Sequence, residues 1–361
     1  MRYYIIAGEA SGDLHGSNLI KELKLLDSAA DIRCWGGDLM EEQGGVLAKH
    51  YRDLAFMGFW EVLFNIFTII NNISFCKRDI LEYKPDVLIL IDYPGFNIRI
   101  AKFAKKNNLK VFYYISPQIW AWHQSRSEVL KKIVDRMFVI LPFEKEFYKK
   151  FNFEVDFVGH PLLDAIEGLD TASVQRDVIA LLPGSRNQEI IKILPVMVEV
   201  ARQMPEHEFV VAGTSSANSS VYSSCMGMAN VQLEYGKTYE LLNQAKAALV
   251  TSGTATLEAA LFNVPEVVCY KGGFISYVIA KLLIKTKYIS LVNLILDKSV
   301  VKELIQGDFE PVQLKVELEI ILNDVQRRSE ITADFADLRN KLGGVGASKK
   351  TAELMIKYLG E

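Results

Sequence analysis

The chain has 361 residues, 50% of them hydrophobic and 24% charged, with a formal net charge of -3. That length exceeds one typical core and predicts two domains with ample apolar content to bury. The balanced charge excludes a general nucleic-acid binder, because a phosphate backbone demands a strongly basic face, but it leaves a nucleotide open as a small ligand.

The first element is an apolar strand, Tyr3 to Ala7, set so close to Met1 that no room remains for a signal peptide, so a cytoplasmic protein is expected. It runs into a turn with glycines at 8, 12 and 16, which fits neither the dinucleotide fingerprint nor a Walker motif. The turn carries Glu9, Ser11 and Asp13 at a strand's carboxyl end, where α/β proteins bind ligands. Asp13 either serves that site or caps a helix. From Leu54 to Phe75 the sequence is nearly continuous in apolar and aromatic residues, Met57 among them, but Glu61, Asn65, Asn71 and Asn72 interrupt it. A carboxylate near mid-span costs about 2.5 to 3.5 kcal/mol on insertion, so the segment reads as a core helix or as an apolar face for a bilayer surface or acyl chains, and not as a span.

The strand Val87 to Ile91 delivers Asp92 into a turn enforced by Pro94 and Gly95. Asp92 is there either a general base for a hydroxyl or a satisfied turn residue. Val111 to Ile115 follows, ending in a loop with Gln118, Trp120 and Trp122; two tryptophans behind a proline suggest a sugar-stacking rim. Met137 to Leu141 and Val155 to Val158 complete the first series of strands. His160, in Val158-Gly159-His160-Pro161-Leu162, is either a satisfied residue at the domain border or a diphosphate donor, the former preferred. The polar stretch Glu167 to Asp177 reads as a linker.

The second half repeats the rhythm with Val178 to Leu182, Glu208 to Ala212, Val231 to Glu234, Ala247 to Val250 and Glu266 to Tyr270. Two of these strands end in turns of small residues, LLPGSR (181–186) and TSGTATLE (251–258). Exposed N–H groups and a helix dipole at such turns favour phosphate; Arg186 adds a bidentate cation, and Glu258 can hydrogen-bond a ribose. The serine-rich stretch Thr214 to Ser224 reads as a solvated loop. After Tyr270 the alternation lapses into helical pieces, including Ile279 to Lys287 with Lys281, Lys285 and Lys287, either a lysine-edged surface helix or a contact for anionic lipid or phosphate. Glycines 343, 344 and 346 then precede a last helix, Ala347 to Leu359, expected to pack back on the first domain.

The fold expected is therefore α/β, with two doubly wound parallel-sheet domains facing across a binding cleft. The first spans 1–168 with the helix 347–359, the second 177–342. Cys34, Cys76, Cys225 and Cys269 lack the spacing of a zinc site or disulfide framework, and the histidines at 15, 50, 123, 160 and 207 lack metal spacing. No metal and no cofactor are expected.

Read together, the motifs resemble the lipid-A-disaccharide synthase family, glycosyltransferases of the two-domain GT-B type. The resemblance runs nearly end to end through AGEASGD (7–13), FMGFWEV (56–62), IDYPGFN (91–97), SPQIWAW (116–122), LPFEKEFY (141–148), VGHPLLD (158–164), LLPGSR, TSGTATLE, YISLVNL (288–294) and VKELIQ (301–306). Gly95 departs from the pattern, since many relatives carry an aspartate there, and a second acid at that point is dropped. The resemblance implies inverting transfer from UDP-2,3-diacylglucosamine to 2,3-diacylglucosamine 1-phosphate, giving a β-1,6 disaccharide and UDP. Asp92, Arg186 and Glu9 would be catalytic, with the choice of base among Glu9, Asp13 and Asp92 left open. Gly184, Ser185, Arg186, Ser252, Gly253, Thr254, Ala255, Thr256 and Glu258 would bind the donor, joined by Asn293 and Gln306 on family similarity. Ser11, Asp13, Met57, Asn97, Gln118, Trp120 and Trp122 would shape the acceptor side. The implied partners are those two lipids and the cytoplasmic surface of the inner membrane, with no nucleic acid; a homodimer is left open. The alternatives are another UDP-sugar transferase or epimerase of the same architecture, and a non-catalytic nucleotide- or lipid-binding protein.

Overall fold

The computed structural model describes residues 1–54, 66–122, 124–167, 177–215, 217–273 and 286–361. The chain divides into two compact units, Met1–Glu167 with Leu342–Glu361, and Gly168–Lys341. Each is a parallel sheet with helical crossovers, so the α/β doubly wound class stands.

In the first unit the strands are β1 (Arg2–Ala7), β2 (Asp31–Gly36), β3 (Val46–His50), β4 (Val87–Ile91), β5 (Lys110–Tyr114), β6 (Arg136–Val139) and β7 (Asp156–Phe157). They lie in the order β3-β2-β1-β4-β5-β6-β7. In the second, β8 (Val178–Leu182), β9 (Glu208–Gly213), β10 (Val231–Tyr235), β11 (Ala245–Thr251), β12 (Glu266–Tyr270) and β13 (Lys302–Ile305) lie in the order β10-β9-β8-β11-β12-β13. The strand order reverses direction between β1 and β4 in one sheet and between β8 and β11 in the other. Those are the switch points outside which α/β sheets receive ligands.

The central strands explain themselves. VLILI in β4 and VIALL in β8 are buried at every position, as parallel strands covered on both faces must be. Three strands escape sequence reading, β2, β3 and β13, because each is short and carries charged residues at half-exposed positions such as Arg33, Lys49 and Glu303. The alternation therefore does not lapse after Tyr270, since β13 pairs with β12. Two strands stop earlier than their apolar runs. Ile115 turns left-handed at φ 61 and closes β5, and the N–H groups of Ile140 and Leu141 leave the sheet to donate to the Glu144 carboxylate.

The last helix, Ala347–Gly360, packs on the helix Ala10–Leu26 in the first unit. Asp164 caps it, accepting from Gly346 N, Ala347 N and Ser348 N at 2.6, 3.2 and 2.8 Å, a cap worth about 1 kcal/mol. Arg136 lies 3.8 Å over the Tyr358 ring at its far end. His15 and His160 are also buried in this unit, and burial pushes them down to about 4 and about 3, so both are neutral. His160 accepts from Leu162 N at 3.2 Å, the satisfied role.

Met57 and residues 55–65 of the apolar stretch 54–75 lie outside the described residues, as do the side chain of Trp122, most of the stretch Glu167 to Asp177, and Lys281 and Lys285. Among the described residues no helix is long and apolar enough to cross a membrane.

Candidate functional site

In the first unit, the turns after β1 and β4 stand side by side because Ala7 pairs with Ile91. Glu9, half-buried, is the N-cap residue of the helix Ala10–Leu26, and Ser11 in its first turn is exposed. Tyr93 seals the two turns together. A Cβ on Gly8 would fall 2.3 Å from the Tyr93 ring, so only glycine admits that ring, which also stacks on Phe96 at 5.5 Å. Burial and the charge of Glu9 raise the Tyr93 phenol above its ordinary value.

Asp92 and Tyr93 both adopt left-handed backbone, at φ 43 and 48. Two consecutive non-glycine residues in that region store about 1–3 kcal/mol each, and strain of this kind concentrates where function requires it. The turn is held from below. Asn97 Nδ2 donates to Ile91 O at 3.2 Å and Asp92 O at 2.7 Å, and Tyr113 Oη donates to Asp92 O at 2.6 Å. Pro94 then opens the helix Pro94–Lys106, where its fixed φ suits the first position.

Several expected acceptor residues are placed differently from their reading. Asn97 is fully buried and its Nδ2 serves two backbone carbonyls, so it supports the Asp92 turn, while its Oδ1 has no hydrogen-bond partner among the described residues. Asp13 does cap a helix, but not its own; its carboxylate accepts from Gly37 N, Leu39 N and Met40 N around the start of the helix Asp38–Glu42. Trp120 is only 8% exposed and packs edge-on against Phe143 at 4.9 Å, which makes it core and not rim. Gln118 is exposed, in keeping with its expected role; Met57 and the Trp122 side chain lie outside the described residues.

Beside Trp120 sits a group the sequence reading missed. Glu144 is 1% exposed; it accepts from Ser116 Oγ, Ile140 N and Leu141 N, and burial raises its carboxyl to about 7. It lies inside the LPFEKEFY motif (141–148), but nothing in its neighbours singled it out from Glu146.

In the second unit, the turns after β8 and β11 flank the other switch point, since Leu182 pairs with Val250. Each feeds a helix, Asn187–Arg202 and Thr254–Leu261. The first turn of a helix offers N–H groups that no helical carbonyl satisfies, and the dipole adds positive potential. Gly184 at φ 117 and Gly253 at φ 153 occupy backbone conformations that side-chain-bearing residues avoid. A Cβ on Gly184 would also meet Glu189 Oε2 at 2.7 Å. Ser185 and Arg186 are exposed; the guanidinium lies 3.3 Å from Glu189 with half its side chain in solvent.

Gly253 and Thr254 are exposed and Ala255 half-buried. Ser252 is half-buried, and its Oγ donates to Ile289 O at 3.0 Å. Thr256 is fully buried with its hydroxyl on Gly253 O at 2.8 Å, so it shapes the turn and has no donor left for a ligand. Glu258 is half-buried, accepts from Tyr239 Oη at 3.2 Å, and is raised by burial. Tyr239, on the helix Thr238–Gln244, gave no sequence signal.

Asn293 also departs from expectation. Fully buried, it donates to Val301 O and Glu303 and accepts from Val300 N and Val301 N, which ties the YISLVNL segment to β13 and leaves nothing for a donor. Gln306, by contrast, ends β13 in left-handed backbone at φ 57, with its Nε2 buried and without a hydrogen-bond partner among the described residues. That is a polar atom waiting for an acceptor at the strand ends.

A family model described as lipid-A-disaccharide synthetase matches residues 3–357. The chain is similar to the lipid-A-disaccharide synthase of Syntrophus aciditrophicus, 39% identical over 371 residues, covering 98% of this chain and 97% of that protein. Among solved structures it is similar to a UDP-GlcNAc 2-epimerase from Neisseria meningitidis bound to UDP-GlcNAc, with a TM-score of 0.70 at 14% identity over 99% of this chain and 100% of that one. The glycotransferase of kitacinnamycin gives 0.67 at 14%, over 99% and 98%. At those identities the two structures share the fold alone.

Proposed function

The chain belongs to the lipid-A-disaccharide synthetase family, and from that premise we propose how its residues make a hexosyltransferase of lipid A synthesis. The reaction joins a UDP-sugar donor to a lipid-sugar acceptor. In our reading the donor is UDP-2,3-diacylglucosamine, bound by the second unit, and the acceptor is 2,3-diacylglucosamine 1-phosphate, bound by the first. Asp92 takes the proton from the acceptor 6-hydroxyl as its oxygen bonds to the donor's anomeric carbon. The bond from that carbon to the diphosphate breaks, configuration inverts, and UDP departs.

Arg186 and the helix starts behind Gly184 and Gly253 bear the charge of the leaving diphosphate, while Glu258, oriented by Tyr239, holds the ribose. Glu9, next to the Asp92 turn, orients the acceptor. Gln306, whose Nε2 has no hydrogen-bond partner among the described residues, reaches the donor. Because both substrates carry acyl chains, the enzyme works as a peripheral protein on the cytoplasmic face of the inner membrane.

The observation that carries the reading is the pairing of the Gly184 and Gly253 turns on adjacent strands, two backbone turns at helix starts with the half-exposed Arg186 beside one and the Glu258 carboxylate one helical turn beyond the other. The test is incubation of purified protein with both diacylated substrates in chelator, followed by mass analysis of the lipid product. Disaccharide 1-phosphate plus UDP is expected. Turnover of an unacylated UDP-sugar in place of the lipid donor would favour an epimerase or another transferase and sink the reading.

A further inference from the structure

Two buried side chains beneath the Asp92 turn donate to the Asp92 carbonyl. We propose that Tyr113, seconded by Asn97, is a positioning residue for the transfer, fixing the Asp92 backbone so that its carboxylate is aimed at the acceptor hydroxyl. This rests on Asp92 being the base.

Both side chains are fully buried, so neither can touch a substrate. Their donors converge on one atom, Asp92 O, at 2.6 Å from Tyr113 Oη and 2.7 Å from Asn97 Nδ2. On its other side the Asp92 N–H donates to Tyr114 O at 3.2 Å. Both backbone groups of Asp92 are thus pinned, and two of the three bonds come from β5, the neighbouring strand. Asn97 also holds Ile91 O at 3.2 Å, which anchors the end of β4 beneath the turn.

The pinning matters because of the conformation it secures. Asp92 and Tyr93 are both left-handed, and a chain that needed only a turn would relax there through glycine. Here the side chains are kept and the backbone is restrained around them. A strand residue that merely filled the core of β5 would serve as well as phenylalanine, since Phe112 beside it is equally buried. The hydroxyl is the part that packing does not require. Burial, followed by the charge of Asp92, raises the Tyr113 phenol well above its ordinary value, so it stays protonated and remains a donor throughout the working range of pH.

The test is a double-mutant cycle. Tyr113→Phe is expected to lower kcat about 10- to 100-fold, the cost of a slightly misplaced reacting group, with the KM for the UDP-sugar within about twofold because its turns are untouched. Cooperative melting is retained. In an Asp92→Asn background the same change leaves the residual rate unaltered, because the group being aimed is gone. Asn97→Ala, which removes the second donor, should show the same pattern and gives the readout should Tyr113→Phe melt without cooperativity. Wild-type kcat in Tyr113→Phe, an effect confined to KM, or an equal loss in both backgrounds would overturn the positioning role. A wild-type rate in Asp92→Asn itself would instead overturn the base assignment, and the positioning role with it.

Discussion

The two units solve the same topological problem with opposite chemistry. Each places two turns at the switch point of a parallel sheet. In the first unit those turns carry side chains, Glu9 and Asp92, and the backbone of the Asp92 turn is strained and hydrogen-bonded to buried side chains. In the second the turns carry little more than backbone, with Gly184 and Gly253 in glycine-only conformations, exposed Ser185 and Thr254, and a half-exposed Arg186. On the proposed roles the difference has a reason: a proton acceptor has to be aimed, which a restrained scaffold does, and a diphosphate is recognised by many weak N–H contacts, which an open one offers.

That contrast can be broken by substitution, and the largest effect belongs to the aimed carboxylate. Asp92→Asn is expected to lower kcat by about 100- to 10,000-fold with donor binding intact, read as turnover against UDP affinity by calorimetry. A comparable loss in UDP affinity would place Asp92 with the donor and erase the distinction between the units. Arg186→Ala comes next, with about 100-fold lower kcat, since its charge is needed most as the diphosphate leaves. If only KM rises, the guanidinium binds the ground state and contributes nothing extra at the transition state.

Gly253→Ala probes the open scaffold directly. A Cβ there meets none of the described residues within 4 Å, so the expected cost is conformational, about 1–3 kcal/mol of stability together with weaker UDP binding, measured by thermal melting with and without UDP. Gly95→Ala, whose Cβ also meets nothing within 4 Å but whose backbone is not left-handed, serves as the control and should change little. Tyr239→Phe has a smaller effect than Gly253→Ala, raising the UDP-sugar KM about two- to tenfold through loss of one hydrogen bond to Glu258.

Glu144 gives a pH signature confined to the first unit. Its carboxyl is raised from 4.5 to about 7 by burial, so the folded state keeps a proton that the unfolded state sheds between those values. Its contribution to stability is full below about pH 4.5 and is lost as pH rises through 7, a change of about 3 kcal/mol. Glu144→Gln should flatten that fall in melting temperature while leaving the second unit's UDP affinity unchanged. An unaltered pH profile would show that the carboxyl titrates normally.

Some of this was legible one residue at a time. The strands β1, β4, β8 and β12 follow from runs such as VLILI and VIALL, and the turn chemistry of Asp92-Tyr93-Pro94-Gly95 and Pro183-Gly184-Ser185-Arg186 marks where each strand ends. Local sequence encodes periodicity and turn propensity, and those suffice for elements and for the residue types at their ends.

What the tertiary structure alone decided is which ends meet and which side chains are spent. That LLPGSR and TSGTATLE flank one switch point depends on the pairing of β8 with β11, chosen by contacts such as Leu182 with Val250 that lie far apart in the chain. Non-local packing also occupies Asp13, whose carboxylate accepts from Gly37 N, and Trp120, which packs on Phe143, whereas Asn97, Thr256 and Asn293 bond to backbone groups within eight residues of themselves, contacts that only the folded turn brings into reach. A left-handed Asp92 held by a tyrosine from the next strand has no one-dimensional signature, since its cost is local and what offsets it is not.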